Sequence, residues 1–231
     1  MKSVPFLMRL TGRKRGLLFF FIFLLLSTVV LLVPNIGRGE YFDQKGWVIT
    51  GIDSVNRQFF YAQNPNERVG GVKVLVNEIP SQVKLGTLVD IKGELQVFHT
   101  ERRIVNSTVN FSAGTTTLPN SLMVNQRDFM NSILGTGAPI TGNLITLWGK
   151  VLPFGQGANS GYMYVFVDDG SGVWNSTIKT PGIKVYFNPL ENPNVDNFYN
   201  CMTKITGIAS VEEINGGVVP VIWLRDIKRL L

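Results

Sequence analysis

The sequence of 231 residues contains one cysteine, Cys201, and one histidine, His99. A single cysteine cannot form an intramolecular disulfide, and this pair cannot supply the ligand set of a structural zinc site. Stretches with helical periodicity are also scarce after residue 40, where short runs of Val, Ile, Phe and Tyr are separated by Gly, Asn, Pro and Asp. These absences exclude a disulfide-stapled fold and a zinc module, and they predict an all-β protein.

Acidic residues are absent from the first 39 positions, which hold six of the 22 basic residues. The chain from Glu40 onward therefore carries 16 basic and 16 acidic residues, and the net charge of +6 belongs to the N-terminal segment. Surfaces that bind a phosphate backbone tightly normally have a surplus of Lys and Arg. The composition therefore argues against a strongly basic nucleic-acid-binding groove.

The longest hydrophobic run, Leu17 to Val33, follows the basic residues Arg13, Lys14 and Arg15 and precedes Pro34. As a helix it would be about 26 Å long, close to the hydrocarbon core of about 30 Å. The basic cluster before the run places the N-terminus inside and the rest of the chain outside. We therefore predict a signal peptide or an uncleaved signal anchor at residues 1–39, contact with the membrane through residues 17–33 if it is uncleaved, and an extracytoplasmic location, either secreted or anchored.

The same order of strand-like segments occurs twice in the remaining chain. Each copy has an opening strand, an aromatic strand, a Gly-[Val/Ile]-Lys-Val strand, an alternating strand and a closing apolar run, which indicates a divergent duplication. The copies are predicted at residues 40–111 and 144–231, with a linker at 112–143 that contains a short helix near residues 128–134. Five strands in so short a segment close most economically into a barrel, so the predicted fold is two OB-fold five-stranded barrels in tandem after an N-terminal hydrophobic helix.

Four glycines stand at the ends of predicted strands. A strand must bend or bulge where it passes between the halves of a small barrel, and a residue without a Cβ suits that position. The predicted bends are at Gly51, Gly93, Gly149 and Gly207.

Motifs of the second copy add a family resemblance. They are Leu-Trp-Gly-Lys-Val at 147–151, Tyr-Val-Phe-Val-Asp-Asp-Gly-Ser-Gly at 164–172, Gly-Ile-Lys-Val at 182–185 and Thr-Gly-Ile-Ala-Ser at 206–210. This pattern resembles the OB-fold modules of exported bacterial proteins, which are themselves similar to anticodon-binding and single-strand-binding OB domains. The resemblance implies a binding function with nucleic acid as the usual ligand, and its motifs are turns and barrel corners rather than a catalytic signature.

Strand alternation places aromatic and lysine side chains on one face of each copy. An OB-fold uses aromatic rings to stack bases and a neighbouring cation to hold a phosphate. Aromatic side chains are also common in ordinary strands, where they pack against a linker or a second barrel. The candidate ligand-binding face consists of Phe59, Tyr61, Lys73, Tyr162, Tyr164, Phe166, Lys184 and Tyr186.

No catalytic residue, metal site or cofactor is predicted. Asp168 and Asp169 are adjacent, so on a strand their side chains point to opposite faces, and turn chemistry explains them better than acid and base catalysis. His99 has no nucleophile motif nearby.

The predicted function is a non-catalytic, extracytoplasmic binding or adaptor module of OB-fold type, with single-stranded nucleic acid as its candidate ligand. The alternative is a protein-binding or glycan-binding structural component of an envelope assembly, because OB barrels also take oligosaccharides. A metal-dependent nuclease is a third hypothesis, because the staphylococcal type of nuclease is also an OB barrel. That class requires carboxylates clustered with Arg around a metal, and the spacing shows no such cluster.

Overall fold

A computed structural model describes residues 40–156, 161–175 and 180–230. The predicted signal segment 1–39, with its hydrophobic run Leu17 to Val33, lies outside these ranges. Within them, no helix has the length and apolar character needed to cross a membrane.

The first five strands form a closed barrel. They are β1 (Glu40–Ile52), β2 (Phe59–Gln63), β3 (Val72–Leu75), β4 (Thr87–Phe98) and β5 (Glu101–Thr115). Hydrogen-bonded neighbours follow the order β1, β2, β3, β5, β4 and back to β1, with β3 and β5 parallel and the other pairs antiparallel. Alternate side chains of β4 are buried, as expected of a strand with one face on the core. The core includes Ile49, Phe60, Val74, Ile91 and Ile104.

The rest of the chain builds a second sheet. Its strands and a small separate pair are β6 (Leu122–Met123), β7 (Leu144–Gln156), β8 (Met163–Asp168), β9 (Trp174–Asn175), β10 (Thr180–Pro181), β11 (Ile183–Phe187), β12 (Met202–Ile214) and β13 (Gly217–Arg229). The sheet order is β12, β13, β11, β8, β7, β6, and β12 also pairs with β7, while β9 and β10 pair with each other. A 3-10 helix covers Val195–Phe198. As β3 and β5 do in the first barrel, β11 and β13 pair in parallel, and the short strand β6 also pairs in parallel with β7.

All five strands predicted in each copy are present, so the all-β prediction and the closed five-stranded first barrel are confirmed. Strand β5 continues to Thr115, which lies inside the predicted linker. It is long because it forms a hairpin with β4 whose pairing extends to Thr87 and Thr115. Both halves, the first barrel and the second sheet, belong to one compact unit that begins at Glu40.

The linker contains the predicted short helix, α1 (Gln126–Ile133). It begins earlier than residue 128 because Asn125 is its N-cap and accepts a hydrogen bond from the amide of Asp128 at 2.8 Å. Asp169 also accepts from the amide of Gln126 at 2.7 Å. The same carboxylate and that of Asp168 each accept a backbone amide two residues ahead, which confirms their turn role.

The strand-end glycines divide into two kinds. Gly51, Gly93 and Gly207 lie at breaks in strand register, which confirms the predicted irregularities. Gly149 lies in regular pairing instead, where a Cβ would clash with Val167 and the backbone of Asp168.

Candidate binding site

The two halves meet along an apolar contact that we call the seam, formed by Tyr61, Leu144 and Ile208 with Phe59 and Trp223 packed against them. Strand β2 provides Tyr61 and Phe59, and the second sheet provides the other three. Tyr61 is 1% exposed, and its ring packs edge-on against that of Phe59 with centroids 5.8 Å apart. The outer face of β2 is therefore covered by the second sheet.

Polar groups at the seam form a buried network around Glu101. Its Oε1 accepts a hydrogen bond from Ser210 Oγ at 2.5 Å and lies 3.2 Å from the Tyr61 hydroxyl, while its Oε2 accepts from Arg103 Nε at 2.7 Å. The Tyr61 hydroxyl also lies 2.8 Å from Ser210 Oγ. Burial, followed by the negative charge of Glu101, raises the pKa of Tyr61 well above its ordinary value.

A second polar contact ties the end of the linker to the first barrel. Gln63 Nε2 donates to Asn143 Oδ1 at 3.1 Å, and Gln63 Oε1 accepts from the amide of Leu144 at 2.8 Å. Asn143 Oδ1 also accepts from the amide of Gly71 at 3.0 Å. Both side chains are buried, and their polar atoms are paired, as buried amides require.

The eight residues of the predicted ligand-binding face do not form one open surface. Four of them are buried, with at most 6% of their surface exposed: Tyr61, Tyr162, Phe166 and Lys184. Tyr61 and Tyr162 are buried because each contacts the other half, Tyr61 at Ile208 and Tyr162 at Asp53, whereas Lys184 is buried beside Glu212 of its own sheet. The remaining four are partly exposed: Phe59, Lys73, Tyr164 and Tyr186. Ligand binding by any of the eight stays a prediction.

The two lysines of this set have different surroundings. Lys184 Nζ pairs with Glu212 at 2.6 Å and lies 3.2 Å from the Tyr186 hydroxyl, which itself donates to Glu212 at 2.7 Å. Lys73 Nζ lies 4.1 Å from the ring centroid of Phe59 in a cation–π contact. Burial lowers the pKa of Lys73, with the charge of Glu101 opposing that shift.

Trp223 contacts aromatic rings of both halves, and the prediction from sequence missed it. It stacks on Tyr186 with centroids 5.1 Å apart and contacts Phe59 at 5.5 Å and Tyr162 at 4.9 Å. Trp223 and Tyr186 are direct neighbours because β13 pairs with β11. The signal that could have found it is an aromatic ring in the closing apolar run of the second copy.

Beside the seam, an open cleft of about 330 Å³ lies between the halves. Tyr162, Tyr186 and Trp223 contribute its aromatic wall. Its charged lining consists of three cations and one carboxylate, namely Arg57, Lys84, Arg225 and Glu191.

The cations of the cleft carry no ion pair with any described carboxylate. The guanidinium of Arg57 is fixed by donating to the carbonyls of Ile79 at 2.8 Å and Pro80 at 2.7 Å. Arg225 donates to the carbonyl of Thr50 at 3.3 Å, and burial lowers its pKa. Lys84 is exposed. The cleft is therefore a local concentration of positive charge in a part of the chain that is neutral as a whole.

Neutral polar groups also line the cleft and connect its two sides. Asn188 Nδ2 donates to Ser54 Oγ at 3.1 Å, and the Tyr162 hydroxyl donates to Asp53 Oδ1 at 2.8 Å. Burial, with the charge of Asp53 adding to it, raises the pKa of Tyr162 to about 12. The tyrosine is thus neutral near neutral pH, and its ring is held against Trp223. Within the residues that the structure describes, no group of three or more His, Cys, Asp and Glu side chains could hold a metal ion.

No family model and no curated protein sequence matches this chain. Among solved structures, it is similar to a murine DNA-binding protein bound to double-stranded DNA, with 12% identity, a TM-score of 0.38, and coverage of 82% of this chain and 100% of that one. Fission yeast Pot1 with single-stranded DNA has 7% identity, a TM-score of 0.30, and coverage of 84% and 85%. The wild-type single-stranded DNA-binding protein from Thermus aquaticus has 9% identity, a TM-score of 0.25, and coverage of 84% and 95%. Similarity at this level does not identify a ligand.

Proposed function

We propose that this chain is an extracytoplasmic, non-catalytic binding module of OB-fold type that holds single-stranded nucleic acid in the cleft. The observation that carries the proposal is the set of three cations that form no ion pair with a described carboxylate, beside the stacked rings of Tyr186 and Trp223. Phosphate groups attract Lys and Arg, and aromatic rings accept bases of any sequence. A single strand of nucleic acid, in which phosphates and unpaired bases alternate, suits this lining.

The proposal includes a second OB-fold barrel. The pairings link β7, β8, β11, β13, β12 and again β7, which is the order of pairings found in the first barrel. The parallel pair also stands at the equivalent place in both halves. This repetition supports a tandem arrangement.

The proposed location rests on the sequence. A basic cluster at residues 13–15 followed by the hydrophobic run at 17–33 favours export with the N-terminus inside. Because the chain after Glu40 is neutral as a whole, attraction of nucleic acid would depend on the cations of the cleft rather than on the total charge.

The alternative ligand is a glycan or a partner protein. The cleft favours a glycan over an apolar protein segment, because Ser54, Asn188 and Asn192 place hydroxyl and amide groups near the rings of Tyr162 and Tyr186. Sugars bind through hydrogen bonds and ring contacts rather than through charge, so their binding depends little on salt.

The test is titration of the full chain, purified in detergent, with a fluorescent oligothymidine of about 20 nucleotides. We expect binding that weakens steeply as salt is raised, and weaker binding to duplex DNA of the same length because its bases are not available for stacking. Lys84→Ala should reduce both the affinity and the salt dependence. Its matched control is Lys45→Ala, an exposed lysine of the first barrel that does not line the cleft.

Absence of oligothymidine binding by the wild-type chain would refute the nucleic-acid proposal. Binding that is unaffected by salt and equally unaffected by both substitutions would place the ligand outside the cleft. Salt-insensitive capture of an oligosaccharide would favour the alternative.

A further inference from the structure

Glu101 is a carboxylate with no exposure to solvent, at the first position of β5. A buried charge is costly unless its partners are in place, and removing one partner leaves the others unsatisfied. Two of its partners, Tyr61 and Arg103, belong to the first barrel, while Ser210 belongs to β12 of the second sheet. One carboxylate is therefore shared between the two halves.

The sharing restricts how the halves pack. Apolar contact, as between Tyr61 and Ile208, is non-directional and tolerates sliding of one surface over another. Hydrogen bonds require short distances and aligned donors, and the contact between Ser210 Oγ and Glu101 is 2.5 Å. A displacement of β12 relative to β5 would remove this donor and leave the carboxylate with fewer partners.

The seam and the cleft have one residue in common, Trp223. Trp223 contacts Phe59 in the seam and also lines the cleft, where it stacks on Tyr186. Any movement of the second sheet at the seam therefore changes the distance between the cleft cations of the first barrel and the rings of the second sheet.

We propose that Glu101 is a positioning residue that fixes the two halves in the arrangement that forms the cleft, without contacting the ligand itself. The proposal about arrangement stands on the buried network alone. Its consequence for ligand affinity rests on the proposed function.

The test measures the arrangement directly. Spin labels are attached to Asn66→Cys and Asn194→Cys, two exposed positions in different halves, in a chain with Cys201→Ser. The distance between the labels is measured without ligand. We expect one narrow distribution in the otherwise wild-type chain and a broadened one after Glu101→Gln, which keeps the shape but removes the charge that pairs with Arg103 and weakens the hydrogen bond accepted from Ser210. The matched control is Glu94→Gln, an exposed carboxylate of the neighbouring strand β4, which should leave the distribution narrow.

The second readout is the affinity of the same variants for oligothymidine. We expect Glu101→Gln to weaken binding on the order of tenfold, because Arg103 loses its carboxylate partner and the two halves are held less firmly, and Glu94→Gln to leave it unchanged. If Glu101→Gln fails to fold, Ser210→Ala takes its place, because it removes only the donor from the second sheet.

The outcomes separate the two proposals. A narrow distribution in Glu101→Gln or, if that variant does not fold, in Ser210→Ala overturns the positioning role, whatever happens to affinity. A broadened distribution in a chain whose unsubstituted form does not bind oligothymidine supports the positioning role and refutes the proposed function. Broadening together with weakened binding supports both.

Discussion

The seam and the cleft lie side by side between the same two halves and contain the same residue types. They differ in whether their charged side chains form ion pairs. In the seam, the buried carboxylate of Glu101 is paired with Arg103 and hydrogen-bonded across the halves. In the cleft, Arg57, Lys84 and Arg225 form no ion pair with a described carboxylate, although the charges of Glu191 and Asp226 act on Arg225 from a greater distance. The difference indicates that the rings and the paired charges of the seam stabilise the packing of the two halves. The cleft places rings beside cations without ion pairs, and we propose that these are available to a ligand.

Replacing Tyr61 with Ala breaks the seam and should have the largest effect. The substitution removes a fully packed ring and its contact with Phe59. We expect the free energy of unfolding to fall by about 3–5 kcal/mol, as measured by urea denaturation. Tyr61→Phe keeps the ring and removes only the hydroxyl, so it should lose about 1–2 kcal/mol. Equal losses in the two variants would contradict a packing role for the ring.

Arg225→Ala tests whether a cation of the cleft contributes to ligand affinity. We expect affinity for oligothymidine to fall by about tenfold, which corresponds to about 1.4 kcal/mol, because a partly desolvated cation without an ion pair is lost. The salt dependence should decrease by the equivalent of about one phosphate contact. Lys228→Ala is the matched control, since Lys228 lies on the same strand but pairs with Asp226 outside the cleft. Equal effects of the two substitutions would mean that total charge, rather than the cleft, determines binding.

Lys184 tests whether a cation that already forms an ion pair within the protein also contributes to ligand binding. Its ammonium is already paired with Glu212 at 2.6 Å, and Tyr186 also donates to that carboxylate. We expect Lys184→Met to change affinity for oligothymidine by less than about twofold, measured in the same titration. A loss as large as that of Arg225→Ala would support the ligand-binding role of Lys184 predicted from the sequence.

Tyr162 should affect stability at alkaline pH only, with no effect near neutral pH. Burial, with Asp53 adding to it, raises its pKa to about 12 in the folded chain, against about 10 in the unfolded chain. Folding therefore favours the neutral phenol, so its contribution to stability is complete below about pH 10 and is lost as pH rises toward 12. The free energy of unfolding of Tyr162→Phe should fall less steeply over this interval than that of the wild type. Identical slopes would show that Tyr162 ionises as it does in the unfolded chain.

Much of the fold was predictable because its signals are local. Alternation located the five strands of each copy, and glycines marked the irregularities at Gly51, Gly93 and Gly207. The turn role of Asp168 and Asp169 follows from the chemistry of their own neighbours. Each of these features depends on residues close together in the chain.

The relation between the halves was not predictable from such signals. Alternation places Tyr61 on the outer face of its barrel, but it does not reveal that Ser210 of the second sheet will cover it. The cleft presents the same difficulty, since Arg57, Lys84 and Arg225 belong to separate segments that form no sequence motif. The equal numbers of basic and acidic residues after residue 39 also gave no sign that three cations would lie close together in the fold.

Hydrogen exchange measured by mass spectrometry, with and without oligothymidine, tests the central claim that the cleft binds and the seam does not. Ligand should protect residues 83–85 and 188–192, which contribute to the cleft lining, and leave β2 at residues 59–63 unchanged because the second sheet already covers it. Protection of β2 without protection of the cleft segments would contradict the account.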